Sequence, residues 1–159
     1  MKLRKGDLIF SDHRSFIGEI IKIFTRGQYS HVTFHIKDGF CIDSSWGGVQ
    51  LKHITQFPSY HVYRHTNFSR SQMDTVVKWL ISKLGKGYDF LGLFGIALAI
   101  LKIKQGNDLD NKYRYWCSEL VADAFHYANI PINVPKETPY VSPQQLSDLH
   151  NIKRVRIKS

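Results

Sequence analysis

Polar and apolar residues alternate along His31-Val32-Thr33-Phe34-His35-Ile36. A period of two predicts a half-buried strand over residues 31–36. Lys37-Asp38-Gly39 reads as a turn, and residues 40–45, FCIDSS, as the return strand, ended by Gly47-Gly48. Residues 7–10, DLIF, and 60–65, YHVYRH, are further short strands, and KRVRI is a last one near the C-terminus. Elsewhere the spacing is helical. Phe16, Ile20, Ile23 and Phe24 recur at helical intervals within residues 15–24. Residues 69–84 have Ser69 or Ser71 as N-cap and Gly85 just past the end. From Cys117 to about residue 128, Leu120, Val121, Ala124, Phe125 and Ala128 make one apolar stripe. Residues 131–143 are proline-rich and read as an ordered loop, with SPQQLSDL as a short helix after it. A helical start, an antiparallel sheet and then helices predict an α+β fold in one domain spanning residues 1–159.

Composition narrows the setting. At 159 residues the chain can bury a real core, and 43% hydrophobic with 13% aromatic residues excludes a disordered chain. Lys and Arg number 22 against 13 Asp and Glu, a formal net charge of +9. That favours anionic partners such as a membrane surface or a cell-wall polymer. Nucleic acid ranks lower, because no RNA-binding signature or zinc-finger spacing accompanies the charge. The opening MKLRKGDLIFSDHRS lacks the apolar core of about 7–15 residues that a secretory signal needs. Two cysteines make no disulfide framework, so the expected setting is cytoplasmic and reducing. Residues 90–101, FLGLFGIALAIL, are apolar throughout but fall short of the roughly 20 residues that span a bilayer. They read as a buried helix, or more sharply as a surface for a membrane or an acyl chain, with KIK beside them to suit anionic lipid.

The candidate chemistry starts at Cys117. It opens a helix, where the positive end of the macrodipole favours thiolate. The first-turn N–H groups beside it can receive an oxyanion. A cysteine hydrolase also needs a histidine and a group to orient it. Among the eight histidines, His31 stands out, because it opens a strand at a sheet edge. The hairpin turn then decides the third group. A three-residue turn with Gly39 left-handed pairs Ile36 with Phe40 and sets Asp43 on the face of His31. A two-residue Asp38-Gly39 turn sends Asp43 to the opposite face. Two weaker readings share this hairpin. His35 and Cys41 can face each other as a poor metal site, although no Cys-x-x-Cys or His-x-x-x-His spacing supports one. Cys41 can also approach Cys117 closely enough for a disulfide. We expect no cofactor and no metal.

Five stretches in order resemble the NlpC/P60 superfamily of papain-like cysteine hydrolases, in its circularly permuted branch near the YiiX/YebB-like group. They are GDLIF, YSHVTFHIKDGFCIDSS, the Gly-x-x-Tyr-Asp element GKGYDF, YWCSELVADAF and VSPQQLSDL. The histidine precedes the cysteine, as in the permuted branch. The resemblance implies a permuted papain-like fold with the nucleophile at a helix N-terminus. It implies Cys117 as nucleophile, His31 as general base and then acid, and Asp43 as orienter, where many relatives have Glu or His. The Cys117 N–H would belong to an oxyanion hole, with Tyr115, Trp116, Ser118 and Trp46 as oxyanion or cleft residues. Asp89 reads as structural. The implied activity is an amidase or peptidase acting on a peptide, amide or acyl-lipid substrate through a thioester. A lipid-directed acyltransferase or esterase, and a binding module without turnover, are the alternatives.

Overall fold

The computed structural model describes residues 2–12, 27–87, 115–134 and 141–156. The helix expected over 15–24, the apolar segment 90–101 and Asp89 lie outside the described residues. Among those described, strands β1 (Asp7–Ser11), β2 (His31–Lys37), β3 (Phe40–Ser45), β4 (Gly48–His53), β5 (Tyr60–His65) and β6 (Ile152–Val155) form one sheet in the order β4-β3-β2-β1-β5-β6. Every neighbouring pair is antiparallel. Helices α1 (Arg70–Ser82), α2 (Cys117–Tyr127) and α3 (Pro143–Ser147) complete the α+β architecture. No helix among the described residues is long and apolar enough to cross a membrane.

Strand alternation divides the core. Leu8, Phe10, Val32, Phe34, Ile42 and Val49 bury one face against Leu120, Val121, Ala124 and Phe125 of α2 and against Met73, Val76 and Leu80 of α1. The other face buries Ile9, Cys41 and Val62, with Leu3, Ile54, Tyr60 and Val155 packed against them. The helix starts are built as their sequences predict. Ser69 accepts from the Gln72 N–H at 3.1 Å while Gln72 returns a bond to the Ser69 N–H at 2.9 Å. Ser142 and Gln145 repeat this capping box at α3, with Pro143 in the first turn. At the start of β1, the buried Asp7 carboxylate takes both Nε and Nη2 of Arg64, at 2.6 and 2.8 Å.

The β2–β3 hairpin has the two-residue turn considered above but not the register expected from it. Asp38 and Gly39 have φ of 49° and 80°, the two positive values of a two-residue type I′ turn. Lys37 pairs with Phe40, but the ladder shifts between Lys37 and His35, so Ile36 is an extra residue in β2. Beyond this bulge His35 pairs with Cys41 and Phe34 with Ile42, the register that the three-residue turn would have given. The short turn that threatened to part Asp43 from His31 is thus offset by one bulged residue.

A second difference is β4. Gly47-Gly48 ends β3 as expected, but the chain folds back at once, with Ser45 opposite Gly48 and Asp43 opposite Gln50. Residues 85–87 then cover the start of β4. Val49 N–H donates to Lys86 O at 2.8 Å, and Gly85 N–H to Val49 O at 2.8 Å. Gly48 sits at φ 86°, and a Cβ there would collide with the carbonyl oxygen of Lys86. Gly48→Ala should therefore cost more than the about 1–2 kcal/mol of left-handed strain alone. Thermal unfolding by circular dichroism should show Tm lowered by several degrees; an unchanged Tm would mean that this close approach does not support the fold.

Candidate active site

Two side-chain-to-backbone bonds and one backbone bridge fix the approach to α2. Tyr115 N–H donates to Gly87 O at 3.0 Å, and Tyr115 O accepts from Ser44 Oγ at 2.5 Å. The residue before Cys117 is therefore reached from a segment pinned to both β3 and the 85–87 strap. One residue into the helix, Ser118 Oγ donates to Val141 O at 2.6 Å. The N-cap itself is Trp116, whose indole has no acceptor and makes no side-chain cap. Glu119 Oε2 accepts from the Trp116 N–H at 3.2 Å. Cys117 thus occupies the first helical position, beside backbone N–H groups that the cap residue's side chain does not satisfy.

His31 opens β2 and is buried, its ring stacked on Phe57 with centroids 6.3 Å apart. Its Nε2 lies 2.5 Å from Asp43 Oδ1. The remaining nitrogen, Nδ1, is the one left for Cys117, whose thiol is close enough to share a hydrogen bond with the ring and to act on its charge. The structure thus brings Cys117, His31 and Asp43 together. Asp43 has no solvent exposure. Its Oδ2 accepts from Ser45 Oγ at 2.6 Å and pairs with Lys52 Nζ at 2.6 Å. Ser45 Oγ in turn accepts from Lys52 Nζ at 2.7 Å and Gln50 Nε2 at 3.2 Å.

These contacts set the charge states. Burial works against a charged imidazole at His31, but its neighbours Cys117 and Asp43 outweigh it and raise its pKa to about 10. Burial also works against charge on Asp43. The imidazolium and the hydrogen bonds from His31, Lys52 and Ser45 nevertheless hold its carboxyl well below the usual carboxylate range. Burial, aided by the charge of Asp43, pushes the other thiol, Cys41, up to about 12.

The remaining candidates are placed differently. Tyr115 is buried with its ring edge-on to Trp79, and Lys83 Nζ lies 5.5 Å from the ring centroid. Trp116 and Ser118 are buried, and Trp46 is 80% exposed at the β3–β4 turn. Both cysteines are free and buried, with no disulfide between them. His35 does face Cys41, but its Nδ1–H donates to Arg4 O and its Nε2 accepts from the Gly39 N–H, which uses both ring nitrogens. No part for Ser45 beside Asp43 was anticipated, and Gln50 and Lys52 were missed altogether. Their signal is the alternation Gln50-Leu51-Lys52 after the Gly-Gly turn, which sets Gln50 and Lys52 on the face of Asp43.

A permuted order, histidine strand before cysteine helix, is matched by the family model for permuted papain-like amidase enzymes, YaeF/YiiX, C92 family, over residues 2–152. The chain belongs to this family. It is a family of cysteine peptidases and amidases, which makes the protein a hydrolase by membership. No curated protein sequence matches the chain. Among solved structures, YiiX from Escherichia coli O157:H7 superposes with a TM-score of 0.72 at 20% identity, over 98% of this chain and 97% of its own. At that identity the likeness shows a shared fold. The E. coli protein is described as a metalloprotein. Among the described residues of this C92-family chain, no group of three or more His, Cys, Asp or Glu could hold a metal ion. The residues described do not fit a metal centre.

The Asp43 pairing fixes the sign of an acid dependence. A carboxyl held below its unfolded value contributes stability that is full above about pH 4 and lost as pH falls. The stability gap between wild type and Asp43→Asn should be widest near pH 6. Below pH 4 it should shrink by up to about 1.4 kcal/mol per unit. Urea unfolding at pH 6 and pH 3 checks this; a gap of equal size at both would remove Asp43 as the paired anion. His31, with its raised pKa, contributes in the opposite sense, fully below roughly pH 6.5 and less as pH rises towards 10.

Proposed function

We propose that the chain is a cysteine amidase in which Cys117 attacks the carbonyl carbon of an amide and carries the acyl group as a thioester. One observation carries this reading: a thiol at the first position of a helix shares a hydrogen bond with an imidazole whose far nitrogen is bound to a buried carboxylate. In the resting site the thiol proton resides on His31, giving a thiolate–imidazolium pair. Attack forms a C–S bond and drives the carbonyl electrons onto oxygen. The first-turn N–H groups of α2, the Cys117 N–H among them, receive that oxyanion. As the C–N bond breaks, Nδ1–H of His31 gives its proton to the departing nitrogen. Neutral His31 then takes a proton from water as the water attacks the thioester carbon. The C–S bond breaks with its electrons going to sulfur, the acid leaves, and the thiolate–imidazolium pair is restored. Asp43 stays ionised throughout and orients the ring.

The substrate class follows from this chemistry as a peptide or acyl amide. The net charge of +9 supports one met near an anionic surface, either a cell-wall polymer or a membrane. Acyl transfer to an acceptor other than water would use the same thioester. A binding module without turnover is the competing reading, and it predicts ligand capture that Cys117→Ala leaves intact.

Site-resolved alkylation tests the pair before any substrate is known. At pH 6.5, iodoacetamide should modify Cys117 and leave Cys41 untouched, and His31→Ala should slow Cys117 by about tenfold or more. Equal rates with and without His31 would end the catalytic reading. With a panel of peptide amides and acyl amides, Cys117→Ala should keep the wild-type Tm and lose about 10³-fold or more of the turnover. Mass spectrometry should find the acyl group on Cys117 alone.

A further inference from the structure

Asp43 is a single carboxylate shared between two cations. Its Oδ1 faces His31 Nε2 at 2.5 Å, and its Oδ2 faces Lys52 Nζ at 2.6 Å. Lys52 is not loosely placed. Its side chain is only 20% exposed, and its ammonium also donates to Ser45 Oγ, which itself donates to Asp43 Oδ2. Lysine, Ser45 and Asp43 therefore close a ring of hydrogen bonds that fixes the plane of the carboxylate. The β3–β4 register builds this ring, because Cys41 pairs with Lys52 and Asp43 with Gln50, so both β4 side chains lie on the face of Asp43.

Charge counting says what the ring is for. A working thiolate–imidazolium pair next to an ionised Asp43 carries one net negative charge in a buried site. Lys52 brings the sum to zero. Resting on the catalytic reading above, we propose that Lys52 is a positioning residue acting through Asp43. It aims Oδ1 at His31 and takes up part of the carboxylate charge, so that the imidazolium can still give its proton to the leaving group. Without the ammonium, the full charge of Asp43 would hold His31 more firmly in its cationic form, and Oδ1 would be free to turn away.

Among the described residues, the titratable and charged groups that act on this pair come from three elements besides β2. Cys117 comes from α2, Asp43 and Cys41 from β3, and Lys52 from β4. Removing the positive charge of Lys52 raises the proton affinity of every member, so the sign is fixed. The experiment is the pH profile of Cys117 alkylation by iodoacetamide, read by mass spectrometry, in wild type, His31→Ala, Lys52→Met, Lys52→Arg and Ser45→Ala. In Lys52→Met, both the acid midpoint of Cys117 reactivity and the alkaline one should move up by about half a pH unit or more. Lys52→Arg should return them to the wild-type positions. Ser45→Ala, which opens the ring but keeps the cation, should move the midpoints less than Lys52→Met does. If Lys52→Met does not fold, Lys52→Gln, which keeps a hydrogen-bond donor and drops the charge, gives the same reading. Unmoved midpoints in the charge-removing variant overturn the role of Lys52 while leaving the catalytic pair standing. Failure of the catalytic reading itself looks different: wild type and His31→Ala would then give the same profile.

Discussion

A carboxylate without solvent exposure must be paired on both oxygens or lose its charge, and Asp43 is such a group. Much of the site can be traced to that requirement. One oxygen is met by His31 and the other by Lys52 and Ser45, which between them draw on three adjacent strands. The orientation of His31 therefore depends on the sheet register on both sides of β3. A slip of one residue on either side would turn a partner to the wrong face and leave a buried charge unmet. The cost of that error is a strong reason for the ladder to settle in one register only.

The cysteine is delivered by separate means. Cys117 is on a helix, and a helix packed by an apolar stripe can slide or tilt. Here its entry is tied by Tyr115 to Ser44 and Gly87, and its first turn by Ser118 to Val141. Ser44 neighbours Asp43 in the same strand, one residue pointing to each face. The strand that anchors the histidine's carboxylate thus also anchors the cysteine's approach. Thiol and imidazole are aligned because β3 holds both.

Where the chain alternates or caps plainly, its structure was legible. The strands of HVTFHI and FCIDSS, the Ser69 cap and the Ser142-Pro143 helix start follow from side-chain period and local hydrogen bonding. The bulge at Ile36 was not legible, because an extra residue in a strand leaves the composition of that strand unchanged. It matters, since Asp38-Gly39 supplies the preferred two-residue turn and the bulge alone recovers the register. Strand β4 was missed for a different reason. Gly47-Gly48 reads as a terminator, and GVQLKH places Leu51, half exposed, where a buried residue would have advertised a strand. Losing β4 meant losing Lys52, so the second cation of the site could not be seen from the sequence. Cys117 and His31 were visible because both open an element, and their meeting depends on tertiary packing that no local pattern records.

The two cysteines show what the arrangement achieves. Both are buried, yet they stand differently towards Asp43. Cys41 meets the carboxylate charge directly, and that charge together with burial holds its thiol protonated up to about 12. Cys117 meets it by way of His31, which Asp43 keeps cationic and which therefore presents a positive charge to the thiol. An imidazole interposed between carboxylate and sulfur converts a repulsion into an attraction. Burial alone, then, does not set the electrostatic surroundings of a thiol in this fold. The difference between the two sites is geometric: the described structure sets a histidine between Cys117 and the buried anion, while Cys41 faces the anion's charge without one.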